Sequence, residues 1–303
     1  MGYNSIYRQD LFAGQVIVVT GGGSGIGRCT AHELASLGAA VAIVGRNPDK
    51  LAAVKAEIDA EGGRISTHVC DIREETKVVE TIEVVLAQHG KIDGLVNNAG
   101  GQYRMPLRDI STRGFEAVVR NNLTGGFIFM RETYKLWMEE HGGAIVNMIA
   151  DIWNGWPNYA HSASARGGMW TLTESAASEW AAAGVRVNAV APGGIASSGL
   201  DTYEPEAQKL ILEFPKTVPM QRFGNAAEVS GAIVYLLSPA ASYITGTCIR
   251  IDGGAPNARV CWGPLKAHDK SKPFAGFHLE APPKLLVKGP KTHSTRQAKE
   301  VQQ

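Results

Sequence analysis

The chain lacks an excess of charge of either sign, with a net charge of +1 at neutral pH. Electrostatic capture of nucleic acid or an anionic membrane needs a basic surplus, so neither is expected as a partner. Cysteine is scarce, and Cys29, Cys70, Cys248 and Cys261 show no metal-ligand or redox spacing. Reduced thiols in a cytoplasmic protein, and no metal site, are therefore expected. No apolar run approaches the ~20 residues that a membrane span needs, and the polar stretch Met1 to Asp10 has no signal-peptide pattern. The closing Val301-Gln302-Gln303 is not a Ser-Lys-Leu-type peroxisomal address. What is present is 303 residues, 44% of them hydrophobic, enough for one large core.

The apolar, β-branched run Gln15 to Thr20 predicts a buried parallel strand. It leads into the turn Gly21-Gly-Gly-Ser-Gly-Ile-Gly27 and then into a helix that Gly38 stops. Strand, glycine-rich turn and helix in that order gather backbone N–H groups and a helix N-terminus at one point, a ready pyrophosphate site. Gly21 suits the tight turn, Gly25 close approach of the phosphate, and Gly27 helix-on-strand packing, with Ser24 and Ile26 between them. Arg46 directly follows a second strand, Ala40 to Gly45. A basic residue there favours the 2′-phosphate of NADP, where an acidic one would favour NAD, and Arg28 offers a second positive charge. Asp71, ending a third strand over Arg64 to Cys70, is placed to touch the adenine edge.

Helices and strands continue to alternate. Helices are expected over Pro48–Glu61, Glu74–Gln88, within Ser111–Glu140, and over His161–Ala183 and Ala226–Ser238. Further strands are expected over Ile92–Asn97, Ala144–Ile149, Val185–Val190 and Thr247–Ile251. This pattern predicts an α/β fold, a single Rossmann-type, doubly wound parallel sheet of about seven strands flanked by helices. Residues 194–224 break the rhythm after the sixth strand, where open α/β sheets bind ligands, and are read as a substrate-covering segment. Residues 255–303 form a C-terminal extension. Its end, 284–303, is basic and without apolar periodicity, so a mobile tail is expected there.

With these motifs placed, residues 12–254 resemble the short-chain dehydrogenase/reductase family. The resemblance rests on Thr20 to Gly27, Asn97-Asn-Ala-Gly100, Asn122-Leu, Ile145-Val-Asn147, Arg186-Val-Asn188, Pro192-Gly193 and Asp252-Gly-Gly254. It implies Asn98 and Gly100 at the adenosine side of the cofactor, and Pro192, Gly193 and Ile195 beside the nicotinamide. Asn122 is similar to the family asparagine that kinks its helix and orders a relay water. A dimer or tetramer is the usual family assembly. The stretches Asn97 to Tyr103, Trp137 to Gly143, His161 to Arg166 and Leu236 to Gly246 look like the peroxisomal trans-2-enoyl-CoA reductase branch, which neighbours the 2,4-dienoyl-CoA reductases. That branch uses NADPH to saturate an enoyl thioester.

The family's usual Tyr-three-residues-Lys motif is absent: Ser162 and Arg166 stand in those places. The family serine, about a dozen residues upstream, would fall near Ile149 or Ala150. Reduction of a ketone to an alcohol needs a proton delivered to oxygen, and this apparatus is altered. Reduction of an enoyl thioester needs donors aimed at a developing enolate oxygen, where losing one donor costs ~3–4 kcal/mol. Arg166 is too basic to act as an acid, but supplies fixed positive charge and a hold on the cofactor ribose. If a helix begins at Pro157, then Tyr159, Ser162 and Arg166 form one polar stripe; if it begins later, Tyr159 leaves the stripe. His161 points off it. Asp151 reads either as a proton donor or as a helix-facing hydrogen-bonding group, and Tyr103, Trp153 and Trp156 as walls of an acyl pocket. The expectation is NADPH-dependent reduction of a trans-2-enoyl-CoA, a small-molecule acyl thioester. An alcohol dehydrogenase or ketoreductase acting on an acyl or isoprenoid compound, and a non-catalytic NADP-binding scaffold, remain as alternatives.

Overall fold

Short runs rich in valine and isoleucine build the sheet of this computed structural model, which describes residues 2–258 and 263–288. The strands are β1 (Val16–Thr20), β2 (Ala40–Gly45), β3 (Arg64–Val69), β4 (Gly94–Asn97), β5 (Gly143–Met148), β6 (Val185–Pro192) and β7 (Cys248–Ile251). All pair in parallel, in the order β3-β2-β1-β4-β5-β6-β7. β1, β4 and the first five residues of β2 are buried throughout, which explains why they read as continuous rather than alternating apolar runs. The order reverses between β1 and β4. The loops leaving their carboxyl ends therefore diverge and open a crevice, the position where open α/β sheets bind ligands.

Helices cover both faces. α1 (Gly25–Ser36), α2 (Pro48–Ala60) and α9 (Ala226–Leu237) close one apolar core, which holds Ile17, Val19, Leu34, Ile43, Leu51 and Ile233. The other face buries Val18, Ile82, Leu95, Phe129, Met130 and Val187 beneath α3 (Glu75–His89), α5 (Gly125–Thr133) and α7 (Ala160–Glu179). Local chemistry sets several ends. Asn47 accepts the Lys50 N–H ahead of Pro48 at the start of α2, and Asn225 with Glu228 forms a reciprocal capping box on α9.

One expectation is corrected. The long helix within Ser111–Glu140 is interrupted. α4 (Thr112–Val119) passes through a π turn at Arg120–Thr124 into α5, and a second π turn at Tyr134–Met138 precedes α6 (Glu139–His141). At the first turn the Asn122 amide donates to Val118 O and to Gly101 O, placing a side chain where the helical ladder would run.

The C-terminal extension is also built, as far as it is described. Phe274 and Phe277 return along α1 and α9, and Phe277 is buried with its ring stacked on Tyr3 at 5.8 Å. Lys284–Lys288, expected at the start of a mobile tail, forms the short helix α10. Leu285 is buried, and the Asp201 carboxylate accepts the Lys284 and Leu285 N–H groups at 3.0 and 2.8 Å. Residues 289–303 lie outside the described part. The segment 194–224 carries a 3-10 turn at Ser198–Thr202 and α8 (Pro205–Glu213), so α10 docks on it rather than on the sheet.

Candidate active site

The crevice between β1 and β4 is lined by Gly21, Ser24, Arg46, Lys50, Asp71 and Gly100, among others. Gly21 has φ +69°, and a side chain there would bring Cβ within 2.8 Å of the Asn98 amide. A Cβ on Gly27 would lie 2.3 Å from Gly21 O, so α1 packs on the turn only without one. Gly25, at φ +52°, faces open space, and no side chain caps the first turn of α1. Backbone N–H groups at a helix N-terminus, open above and flanked by glycine, fit a pyrophosphate. Ile26 packs beneath this turn against the apolar core. The Asn98 side chain is spent inside the protein, donating to Thr20 O at 2.9 Å.

Arg46 lines the crevice close enough to Asp71 to stabilise its charge. Hydrogen bonds from Arg73 are the main cause that holds the Asp71 carboxyl down, at about 2. Arg28 does not join this group. Its guanidinium donates to both Glu57 oxygens at 2.7 and 2.9 Å and lies over the Phe277 ring at 5.1 Å. A bidentate carboxylate and an aromatic face hold it on the α1–α2 side. Lys50, one turn into α2, lines the crevice instead. Sequence reading missed it, because a lysine in a surface helix carries no signal of its own.

Across β4 and β5 the chemical half assembles. Ser162 and Arg166 lie one turn apart on α7, and both are buried. Arg166 Nη1 donates to Met148 O at 2.5 Å, and burial draws its pKa down to about 10, so it stays cationic at neutral pH. Among the described residues Arg166 takes part in no ion pair. A Cβ on Gly100 would fall 2.4 Å from Arg166 Nη2 and 2.5 Å from Asn122 Oδ1, so glycine lets the guanidinium and the π turn meet at the β4 loop. Gly101 N–H donates to Asn122 Oδ1 at 3.0 Å. Pro192 ends β6, Gly193 N–H donates to Ile251 O, and Ile195 bridges to Gly224, so these three stand at the carboxyl edge of the sheet.

Tyr159 leaves the stripe. α7 begins at Ala160, not at Pro157, because Asn158 has φ +68° and its carbonyl accepts the Met105 N–H. Tyr159 is the residue before the helix. Its ring stacks on Trp156 at 4.9 Å and meets Tyr203 edge-on at 6.3 Å. Burial, with the Tyr203 hydroxyl adding to it, pushes the Tyr159 hydroxyl well above the usual phenol range, which leaves it a poor acid.

Ser162 Oγ donates to Gln102 Oε1 at 2.8 Å, and Gln102 Nε2 donates to Tyr203 at 3.4 Å. Neither Gln102 nor Tyr203 was singled out as a site residue from the sequence. They lie 60 and 41 positions from Ser162, and no spacing rule links them. His161 accepts the Ser162 N–H through Nδ1 at 2.8 Å and meets the Tyr103 ring edge-on at 4.5 Å. Asp151 is raised, chiefly by burial and then by the Asp252 carboxylate, and its Oδ1 has no hydrogen-bond partner among the described residues.

A family model described as enoyl-(acyl carrier protein) reductase matches residues 21–256. The probable 2,4-dienoyl-CoA reductase [(2E)-enoyl-CoA-producing] of Bacillus subtilis is 34% identical over 243 residues, 79% of this chain and 96% of that protein. The peroxisomal 2,4-dienoyl-CoA reductase [(3E)-enoyl-CoA-producing] of Danio rerio is 34% identical over 261 residues, 84% of this chain and 85% of that one. Among solved structures, the citronellol catabolism dehydrogenase of Pseudomonas aeruginosa superposes with a TM-score of 0.76 at 53% identity. That match covers 84% of this chain and all of the other.

Proposed function

The chain belongs to the short-chain dehydrogenase/reductase family, an oxidoreductase fold that binds nicotinamide cofactors, and we propose that it is an NADPH-dependent reductase of the C=C bond of trans-2-enoyl-CoA thioesters. One observation carries this reading. Arg166 is a buried cation without an ion-pair partner among the described residues, one helical turn from a buried serine, at the carboxyl edge of β4 and β5. An unpaired buried charge is costly, and its persistence here favours a site built to meet an anion.

NADPH, when bound, supplies the hydride that reaches Cβ. The protein's own tasks are then to hold the dinucleotide and to stabilise charge on the thioester oxygen. Gly21, Ser24, Gly25 and Gly27, with the open first turn of α1, would hold the pyrophosphate, and Arg46 with Lys50 the 2′-phosphate. Asp71, Gly100, Pro192, Gly193 and Ile195 would border the rest of the cofactor. Arg166 would serve both its ribose and the developing enolate, with Ser162 as the neutral donor. Asn122 holds the β4 loop in place through its paired bonds to Gly101. Tyr159, set before the helix with its proton held tightly, fits a wall of the acyl pocket better than an acid.

A second reading has its own support. The 53% identity to a citronellol catabolism dehydrogenase favours oxidation of a branched isoprenoid alcohol. One assay separates these readings. NADPH absorbance is followed with crotonyl-CoA, a longer trans-2-enoyl-CoA and the matching 3-oxoacyl-CoA, and NADP+ reduction is followed with citronellol, with products identified by mass. Saturated acyl-CoA from an enoyl substrate is the expected product. Citronellol oxidation without any saturated acyl-CoA would replace the first reading by the second.

A further inference from the structure

Ser162 has one hydroxyl proton, and in this structure it is directed to Gln102 Oε1 rather than outward. A serine whose proton is bound to a protein acceptor cannot give it to a substrate oxygen. The same carboxamide turns its Nε2 to the hydroxyl of Tyr203, which sits on the segment 194–224 just beyond the Ser198–Thr202 turn. Three elements thus meet in one hydrogen-bonded chain: α7, the loop after β4, and the covering segment.

We propose that Gln102 and Tyr203 are positioning residues that switch Ser162 between a self-satisfied state and a donor to the substrate's carbonyl oxygen. This rests on the enoyl thioester reading above. A half-turn of the Gln102 carboxamide exchanges its oxygen and nitrogen with little movement of heavy atoms. Nε2–H then donates to Ser162 Oγ, Oε1 accepts the Tyr203 O–H, and the Ser162 proton is released toward the substrate. Gln102 and Tyr203 keep their hydrogen-bond counts, and Ser162 gains one, since it accepts from Gln102 while donating to the substrate oxygen. The covering segment takes part because Tyr203 supplies the O–H that the turned carboxamide needs. A donor fixed in this way acts on the oxygen where charge gathers, without reorganising during the reaction. The chain also gives Tyr203 a reason to lie near Ser162 although it sits well outside the helix that carries the serine.

The Gln102→Glu variant tests this, because its carboxyl has two protonation states that mimic the two arrangements. Protonated, it donates to Ser162 Oγ and accepts from Tyr203, as the turned carboxamide does. Ionised, it only accepts, and it captures the Ser162 proton. With a trans-2-enoyl-CoA and NADPH, kcat of Gln102→Glu should be near the wild-type value at the acid end of the working range. It should fall by about tenfold or more, relative to wild type, as the carboxyl ionises. Gln102→Leu should be low at every pH, and Tyr203→Phe should lose kcat with little change in the NADPH Kd read by cofactor fluorescence.

A Gln102→Glu profile that tracks wild type, or full kcat in Gln102→Leu, would overturn the switch. So would a Tyr203→Phe enzyme that is unchanged, which keeps a test available if either Gln102 variant folds poorly. Loss of NADPH binding in Gln102→Leu would make the effect a structural one and also count against it. If the wild-type enzyme turns over no enoyl-CoA at all, the functional reading fails and takes the switch with it. Wild-type turnover with unresponsive variants defeats the switch alone.

Discussion

At the scale of single residues, position along a strand says more than residue type. Arg46 and Arg28 look equivalent in a sequence, both being arginines that directly follow a glycine at the end of a motif, Gly45 and Gly27. Arg46 follows β2 directly, so the strand's direction delivers it to the crevice. Arg28 is the fourth residue of α1, and Glu57 with the returning Phe277 captures it. Charge-assisted contacts are worth roughly 1.5–3 kcal/mol each, or about 10- to 150-fold in affinity. Arg46→Asp should therefore weaken NADPH binding by about that much, as measured by fluorescence titration, and leave NADH nearly unchanged. An equal loss for both cofactors would remove the 2′-phosphate role. Arg28→Ala should leave both affinities close to wild type.

At the scale of elements, the ends of helices decided what the site contains. The spacing of Tyr159, Ser162 and Arg166 suits one face of a helix, and Pro157 is an acceptable first-turn residue. Whether the helix starts there depends on the backbone of Asn158, whose positive φ is supported by a bond to Met105, more than fifty residues away in the chain. Sequence spacing therefore reached Ser162 and Arg166 and lost Tyr159. The π turn at Asn122 was partly legible, since a kink at that asparagine is what the family resemblance implies. The returning C-terminal arm was not. Its apolar anchors, Phe274, Phe277 and Leu285, are too far apart for a periodic pattern, and their partners lie on α1, α9 and the covering segment. Removing a buried phenylalanine side chain typically costs about 3–5 kcal/mol. Phe277→Ala should lower unfolding stability in urea by about that amount. A loss below ~1 kcal/mol would mean that the arm contributes little to holding the fold.

At the scale of the whole molecule, the sheet order places the site and buried titratable groups set its pH response. His68 on β3 shares the Ser66 hydroxyl with His89, and burial first, then the neighbouring His89, brings His68 from 6.5 down to about 4. A folded-state pKa below the unfolded one means that the unfolded chain binds the extra proton first. The stabilisation from neutral His68 is complete above about 6.5 and is lost as pH falls toward about 4. Glu33, Asp151 and Glu280, each raised chiefly by burial, act in the opposite sense on acidification. The measurement is therefore a difference. Urea stability of wild type minus that of His68→Gln should shrink between pH 6.5 and 4, and a constant difference would exclude His68 as the group responsible. The alternation of strands and helices, the glycine spacing of the first turn and the continuous apolar runs were enough by themselves to determine a parallel sheet with a crevice at its carboxyl edge. Those features arise from contacts within a few residues or from burial on both faces of a strand. Only the tertiary structure decided which arginine faces the crevice, that Tyr159 stands outside the helix, and that Gln102 and Tyr203 reach Ser162. Those outcomes depend on contacts between distant parts of the chain, which leave no periodic trace in the order of residues.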